Sequence, residues 1–176
     1  MKKNVIINLL AAIISLCTGC SRFDRAVMSD RQVEKKVLDE VIGYLENGDA
    51  EGIKGMMTES TLLKCKDDID NQIKNMTELF SGKKIESYVV RSLGSEKSYR
   101  EGEQTLYYIS PEANEIKLDT GEEYTLRVYY YVINKKSPQK EGIIAITLNT
   151  NTNDKKMFIG EWNGWNQVSK AKSGKS

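Results

Sequence analysis

The chain has 176 residues, enough for one domain and too few for two ordinary ones. Its 39% hydrophobic and 29% charged residues indicate a folded globular protein. The formal charge of +1 gives no basic field for nucleic acid. The absence of histidine excludes Ser–His and Cys–His catalytic pairs and imidazole metal ligands within the chain. We therefore expect no cofactor, no metal and no nucleic-acid partner.

The N-terminal segment has the pattern of a secretory signal. Lys2 and Lys3 precede an apolar stretch at residues 5–16, which is shorter than the roughly 20 residues that a membrane span needs. The two lysines belong to the 26 basic residues that stand against 25 acidic ones, so the chain without them carries a charge of about −1. The segment therefore predicts export rather than a membrane-spanning helix.

The apolar stretch ends in SLCTGC, residues 15–20, where Thr18 and Gly19 lead into Cys20. One interpretation is a CxxC metal or redox pair formed by Cys17 and Cys20. Such a pair is normally matched by a second Cys or His pair downstream, which this sequence lacks. The pattern therefore favours a processing site.

These residues resemble the signal peptide of bacterial lipoproteins, although Cys17 stands where that family usually has Leu. The resemblance implies that residues 1–19 are removed and that Cys20, diacylated on its sulfur with fatty acids such as palmitate, begins the mature chain. Residues 20–28 would tether the domain. Two acyl chains suffice for stable attachment, so we expect a lipid-anchored protein on the extracytoplasmic face of the cell membrane.

The next part of the chain predicts three helices. Ser29 and Gln32 have capping-box spacing before an amphipathic helix over residues 30–47. A short second helix follows Asp49, and a third begins near Ser60 and runs to about residue 79.

From residue 84 onward, β-branched and aromatic residues alternate with turn signals and predict about five or six antiparallel strands. The predicted strands cover residues 85–92, 104–109, 114–118, 124–134, 142–149 and 156–162. Residues 93–103 are predicted to be a loop or hairpin tip, and Pro111 to interrupt a strand. The fold class is therefore α+β, with one domain at 29–168 and a disordered tail at 169–176.

Three stretches carry a further resemblance: residues 48–60, 79–88 and 129–148. Their order is similar to the cone-like fold of the nuclear transport factor two and ketosteroid isomerase superfamily. It resembles more closely an uncharacterised family of small lipoproteins from clostridia-type Gram-positive bacteria. The resemblance implies three helices packed in a curved antiparallel sheet. It assigns no catalytic residue, because this superfamily supports several functions.

Two pairs of aromatic residues are candidates for facing a ligand. Alternation places Tyr124 and Tyr130 on the apolar face of their strand, and Tyr129 and Tyr131 on the other face with Arg127. The first pair is predicted to face the interior, where it either lines a pocket or simply packs. Trp162 and Trp165 either form an aromatic patch for a ligand or close the core.

Two functions are compatible with these residues. The first is a membrane-anchored lipoprotein whose domain binds a small molecule or a protein without catalysis; a homodimer through the sheet is one such assembly. The alternative is a small isomerase or lyase of the ketosteroid isomerase type, which needs a carboxylate base and a Tyr donor. Because the strand with most tyrosines offers no interior carboxylate, we favour the non-catalytic function.

Overall fold

The structure is a computed structural model that describes residues 28–150 and 156–161. The chain divides into two compact units, residues 1–33 and 34–176. No helix in the described ranges is both long and apolar enough to cross a membrane. Several predicted features lie outside the described residues: the signal peptide 1–19, Cys20 with most of the tether, Trp162, Trp165 and the tail 169–176.

Four α-helices lie in the described part: α1 (Asp30–Glu46), α2 (Ala50–Met56), α3 (Glu59–Lys64) and α4 (Ile69–Phe80). The predicted capping box is confirmed, because the Ser29 amide donates to Oε1 of Gln32 and the Gln32 amide donates to Oγ of Ser29. On α1, the residues spaced for one face are buried: Val37, Leu38, Val41, Ile42 and Leu45.

The prediction of three helices is corrected at the third one. The chain leaves helical geometry at Cys65, which ends α3, and turns through Lys66 and Asp67 before α4 begins after Asp68. Asp67 and Asp68 lie in this turn. Aspartate is favoured in caps and turns over helix interiors, because its side chain competes with the helix for backbone hydrogen bonds. Asp68 accepts a hydrogen bond from the side chain of Gln72. The apolar spacing continues through the turn, so it could not reveal the break.

The five strands of the described residues form one antiparallel sheet in the order β1-β2-β3-β4-β5. They are β1 (Ile85–Arg100), β2 (Glu103–Leu118), β3 (Glu123–Asn134), β4 (Gly142–Thr150) and β5 (Lys156–Gly160). A 3₁₀ turn at Pro138–Lys140 lies between β3 and β4. The α+β class is thus confirmed.

Two predicted boundaries in the sheet were wrong. Residues 93–100 continue β1 and pair with β2, and the chain reverses at Glu101 and Gly102, both with positive φ as a two-residue hairpin requires. Pro111 does not end β2. Pro111 lies opposite Ser92, and the β1–β2 register shifts directly after Ser92. Proline has no N–H to donate to the neighbouring strand, and here it lies beside an irregularity in the strand pairing, where proline is tolerated.

One face of the sheet carries the core. On β3 the burial alternates strictly, with Leu126, Val128 and Tyr130 buried and their neighbours half-buried. The rings of Tyr124 and Phe80, from β3 and α4, lie 5.6 Å apart. This contact identifies the buried face as the one that packs against a helix.

Candidate functional site

The opposite side of the central strands, which we call the outer face, carries polar and aromatic residues. On β2 these alternate with the buried residues Ile109 and Ala113, and on β3 with Leu126 and Val128. The registers Tyr108↔Tyr131 and Glu112↔Arg127 bring the two strands' residues side by side. We call six of them the outer-face cluster: Tyr108, Ser110, Glu112, Arg127, Tyr129 and Tyr131.

An ion pair lies at the centre of the outer-face cluster. Arg127 donates to Oε2 of Glu112 from Nη2 over 2.7 Å and from Nε over 3.3 Å. The side chains are 23% and 9% exposed, respectively. Burial lowers the pKa of Arg127, but hydrogen bonds with Glu112 and Tyr129 outweigh it, so the pKa is raised and the guanidinium remains charged. The pair is therefore a fixed, internally neutralised arrangement.

The three tyrosines surround this pair. The hydroxyl of Tyr129 accepts a hydrogen bond from Nη1 of Arg127 over 3.4 Å. The rings of Tyr108 and Tyr131 lie 5.1 Å apart at a tilt of 56°, within the range of favourable aromatic pairs. Burial raises the pKa of Tyr108 to about 12, against an opposing hydrogen bond with Ser110. The Tyr108 phenol therefore stays protonated at neutral pH and is a poor base.

Small residues lie beside the tyrosines on the outer face. Tyr129 is opposite Ala145 on β4, and Arg127 is opposite Thr147. Ala145 is 7% exposed and Thr147 is 3% exposed, although both lie on the side away from the packed core face. On the outer face of the central strands, small buried residues therefore lie between larger half-buried ones.

The predicted ligand-facing pair has a different setting. Tyr124 and Tyr130 are both buried on the core face, as the alternation predicts. Burial raises the pKa of Tyr124, whose hydroxyl donates to Oε1 of Glu122 over 3.4 Å. A role in facing a ligand remains a prediction for both tyrosines. For Trp162 and Trp165 the same prediction concerns positions outside the described residues.

A second polar region joins α1 to β1. The Ile85 amide donates to Oε1 of Glu46 over 2.8 Å, and Oγ of Ser92 donates to Oε1 of Glu34 over 2.6 Å. Between them Tyr88 donates to Oδ1 of Asp39, and burial raises the pKa of that tyrosine. Glu34 is only 2% exposed.

Both buried carboxylates, Glu34 and Glu112, were missed in the sequence. Glu34 belongs to a helix whose polar positions look solvated, and Glu112 follows the proline that was predicted to break its strand. The alternation on β3 correctly placed Arg127, Tyr129 and Tyr131 on one face. It is the sequence feature from which this half of the outer-face cluster could be predicted. Their partners on β2 depend on the register, which sequence alone does not give.

The outer-face cluster combines aromatic rings with hydrogen-bonding and charged groups. Among the described residues, no group of three or more Cys, Asp or Glu side chains is arranged to hold a metal ion. Arg127 and Glu112 are hydrogen-bonded to each other, and the Tyr108 hydroxyl stays protonated. What the cluster offers is aromatic surface with hydrogen-bonding groups at fixed positions.

Comparison with known proteins adds a family but no activity. Residues 40–158 match the family model described as "Domain of unknown function (DUF5104)". The match extends from within α1 to β5 and includes the whole outer-face cluster. No curated protein matches the chain.

Proposed function

The chain belongs to the DUF5104 family of unknown function, and from this starting point we propose that it is a lipid-anchored extracytoplasmic protein with a non-catalytic binding domain. The anchor is supported by the order of Lys2 and Lys3, the apolar stretch 5–16 and Cys20. It would hold the domain at the outer surface of the cell membrane by its diacylglycerol group.

For the shape of the domain we propose the cone-like arrangement of the nuclear transport factor two superfamily. The supporting features are helices that precede an antiparallel meander and the packing of Phe80 against Tyr124 on one face of it. Fold membership of this kind does not select a function.

The outer-face cluster is the observation that carries the binding function. Sheet faces turned away from a helical layer are commonly solvated and polar. Here the central strands instead present tyrosines beside an ion pair in which Arg127 is half-buried and Glu112 is buried. Aromatic residues and arginine are the types enriched where proteins bind partners.

Glu34 supports a second candidate function, the carboxylate- and tyrosine-dependent isomerase or lyase. Its carboxylate is buried and so meets one requirement of a general base in an apolar site. However, Oε1 of this carboxylate already accepts a short hydrogen bond from Ser92, whereas a general base needs an oxygen that can take the substrate's proton. The binding function therefore has the stronger support.

The test places a photo-crosslinking residue at Tyr131 in the full-length protein, in the cells that produce it. The matched control carries it at Leu63 of α3, which is 73% exposed. We expect an adduct from position 131 that is absent from position 63. Equal labelling at both positions, or none at 131, would refute the proposal. An adduct of twice the chain's mass would identify the occupant as a second copy.

A further inference from the structure

We propose that the outer-face cluster binds an uncharged carbohydrate; this rests on the proposed binding function of the same face. Three properties of the cluster lead to this ligand class: its neutral balance of charge, its aromatic rings and its density of hydroxyl groups.

The charge balance argues against an ionic ligand. Glu112 takes two of the hydrogen bonds that Arg127 can donate, and Tyr129 accepts another. An anion would have to displace a carboxylate that is only 9% exposed, and a cation would have to displace the guanidinium. Separating a desolvated pair of this kind is costly. A ligand without net charge can bind while the Arg127–Glu112 pair stays intact.

The aromatic rings suit a ligand with flat apolar patches. Tyr108 and Tyr131 are both half-buried, and their rings lie at an angle of 56°. Pyranose rings have apolar C–H faces that pack on aromatic rings, and hydroxyl groups around their edges. The two surfaces of such a ligand match the amphipathic character of tyrosine, which has an apolar ring and a polar tip.

The polar groups complete the match. Ser110 on β2 and Thr147 on β4 carry hydroxyl groups on the same face as the tyrosines. Next to the ion pair, Oγ1 of Thr125 donates to Oδ1 of Asn114 over 2.9 Å, and the amide nitrogen of Asn114 donates to Oε1 of Glu115 over 3.4 Å. Hydroxyls both donate and accept, as sugar hydroxyls do.

The experiment measures binding of the full-length protein in detergent to cellulose, chitin, amylose and mannan as neutral probes. Polygalacturonate and a polyglutamate peptide serve as acidic probes. Tyr131→Ala is compared with Tyr131→Trp, which keeps an aromatic surface, and with Tyr99→Ala, whose ring is 63% exposed on the β1–β2 hairpin. Circular dichroism checks that each variant is folded.

We expect at least one neutral polysaccharide to bind, and Tyr131→Ala to weaken that binding about tenfold, a loss of roughly one aromatic contact. Tyr131→Trp and Tyr99→Ala should retain it. Binding to acidic probes alone, to no probe, or with equal affinity by Tyr131→Ala would overturn the carbohydrate inference. If the crosslink at Tyr131 then yields a polypeptide adduct, the binding function stands without the carbohydrate. If it yields no adduct, both fail.

Discussion

The Glu112–Arg127 pair gives the sharpest test of the structure. Replacing Arg127 with Met keeps most of the side chain's length and removes its charge, which leaves the Glu112 carboxylate in a site where it is 9% exposed. Breaking a fully buried pair costs about 3–5 kcal/mol. Because Arg127 itself is 23% exposed, we expect Arg127→Met to lower the free energy of unfolding by about 2–3 kcal/mol.

A double-mutant cycle separates the pair from the other contacts of both residues. Glu112→Gln and the double variant complete the cycle, and we expect a coupling free energy of about 1.5–2 kcal/mol. Urea unfolding followed by circular dichroism at pH 7 measures all four proteins. The double variant should be no less stable than Arg127→Met alone, since it no longer contains a buried unpaired charge.

The matched control is the pair formed by Lys135 and Glu103, which has the same 2.7 Å separation but side chains that are 49% and 72% exposed. The cycle of Lys135→Met and Glu103→Gln should show a coupling within experimental error, because exposed pairs are screened by solvent. Equal coupling in the two cycles would refute the argument that burial makes the Glu112–Arg127 pair strong.

Three further predictions concern other parts of the chain. Cys20→Ala should abolish incorporation of radiolabelled palmitate, whereas Cys17→Ala should not; labelling that persists without Cys20 would contradict the proposed anchor. Folding raises the pKa of Tyr108 from 10.0 to about 12, so the contribution of Tyr108 to stability is full below pH 10 and is lost as the pH rises through 12. In urea titrations, Tyr108→Phe should therefore lose less stability between pH 10 and 12 than the unchanged protein. An equal loss in the two proteins would exclude Tyr108 as its source. Gly142→Ala should lower the free energy of unfolding by at least about 2 kcal/mol, and Gly121→Ala by about 1 kcal/mol. The backbone φ is positive at both positions, but only at Gly142 would the added Cβ lie 2.8 Å from the Met56 carbonyl oxygen. Similar losses of stability for the two variants in thermal melts would contradict this argument.

The elements that the sequence predicted well have a strong period and a buried side. The α1 stripe repeats every three or four residues, and β3 alternates without a break. The distal half of β1 was predicted to be a loop because residues 93–103 are rich in Gly, Ser and charged residues. In the structure residues 93–100 are all exposed, so this part of the strand has no alternation of apolar and polar residues. Its pairing with β2 provides the strand geometry there, and pairing leaves no local pattern of hydrophobicity.

The candidate site was harder to predict because it joins two strands. The side of β3 that carries Arg127 and Tyr131 follows from alternation alone. The neighbours Glu112 and Tyr108 follow only from the β2–β3 register, which includes a shift next to Tyr108. A proline at position 111 argues locally against a strand, and it made the nearby glutamate look like part of a loop.

The run of three tyrosines at 129–131 shows how the core fixes the site. If β3 shifted by one residue, Tyr129 and Tyr131 would enter the core and Tyr130 would leave it. The same shift would bring Arg127 into the helix-packed face, where it would lie beyond the reach of Glu112, and would expose Leu126 and Val128. Burial of an unpaired charge and exposure of two fully buried side chains both oppose the shifted register. The apolar residues on one face of β3 therefore determine which tyrosines the outer face presents.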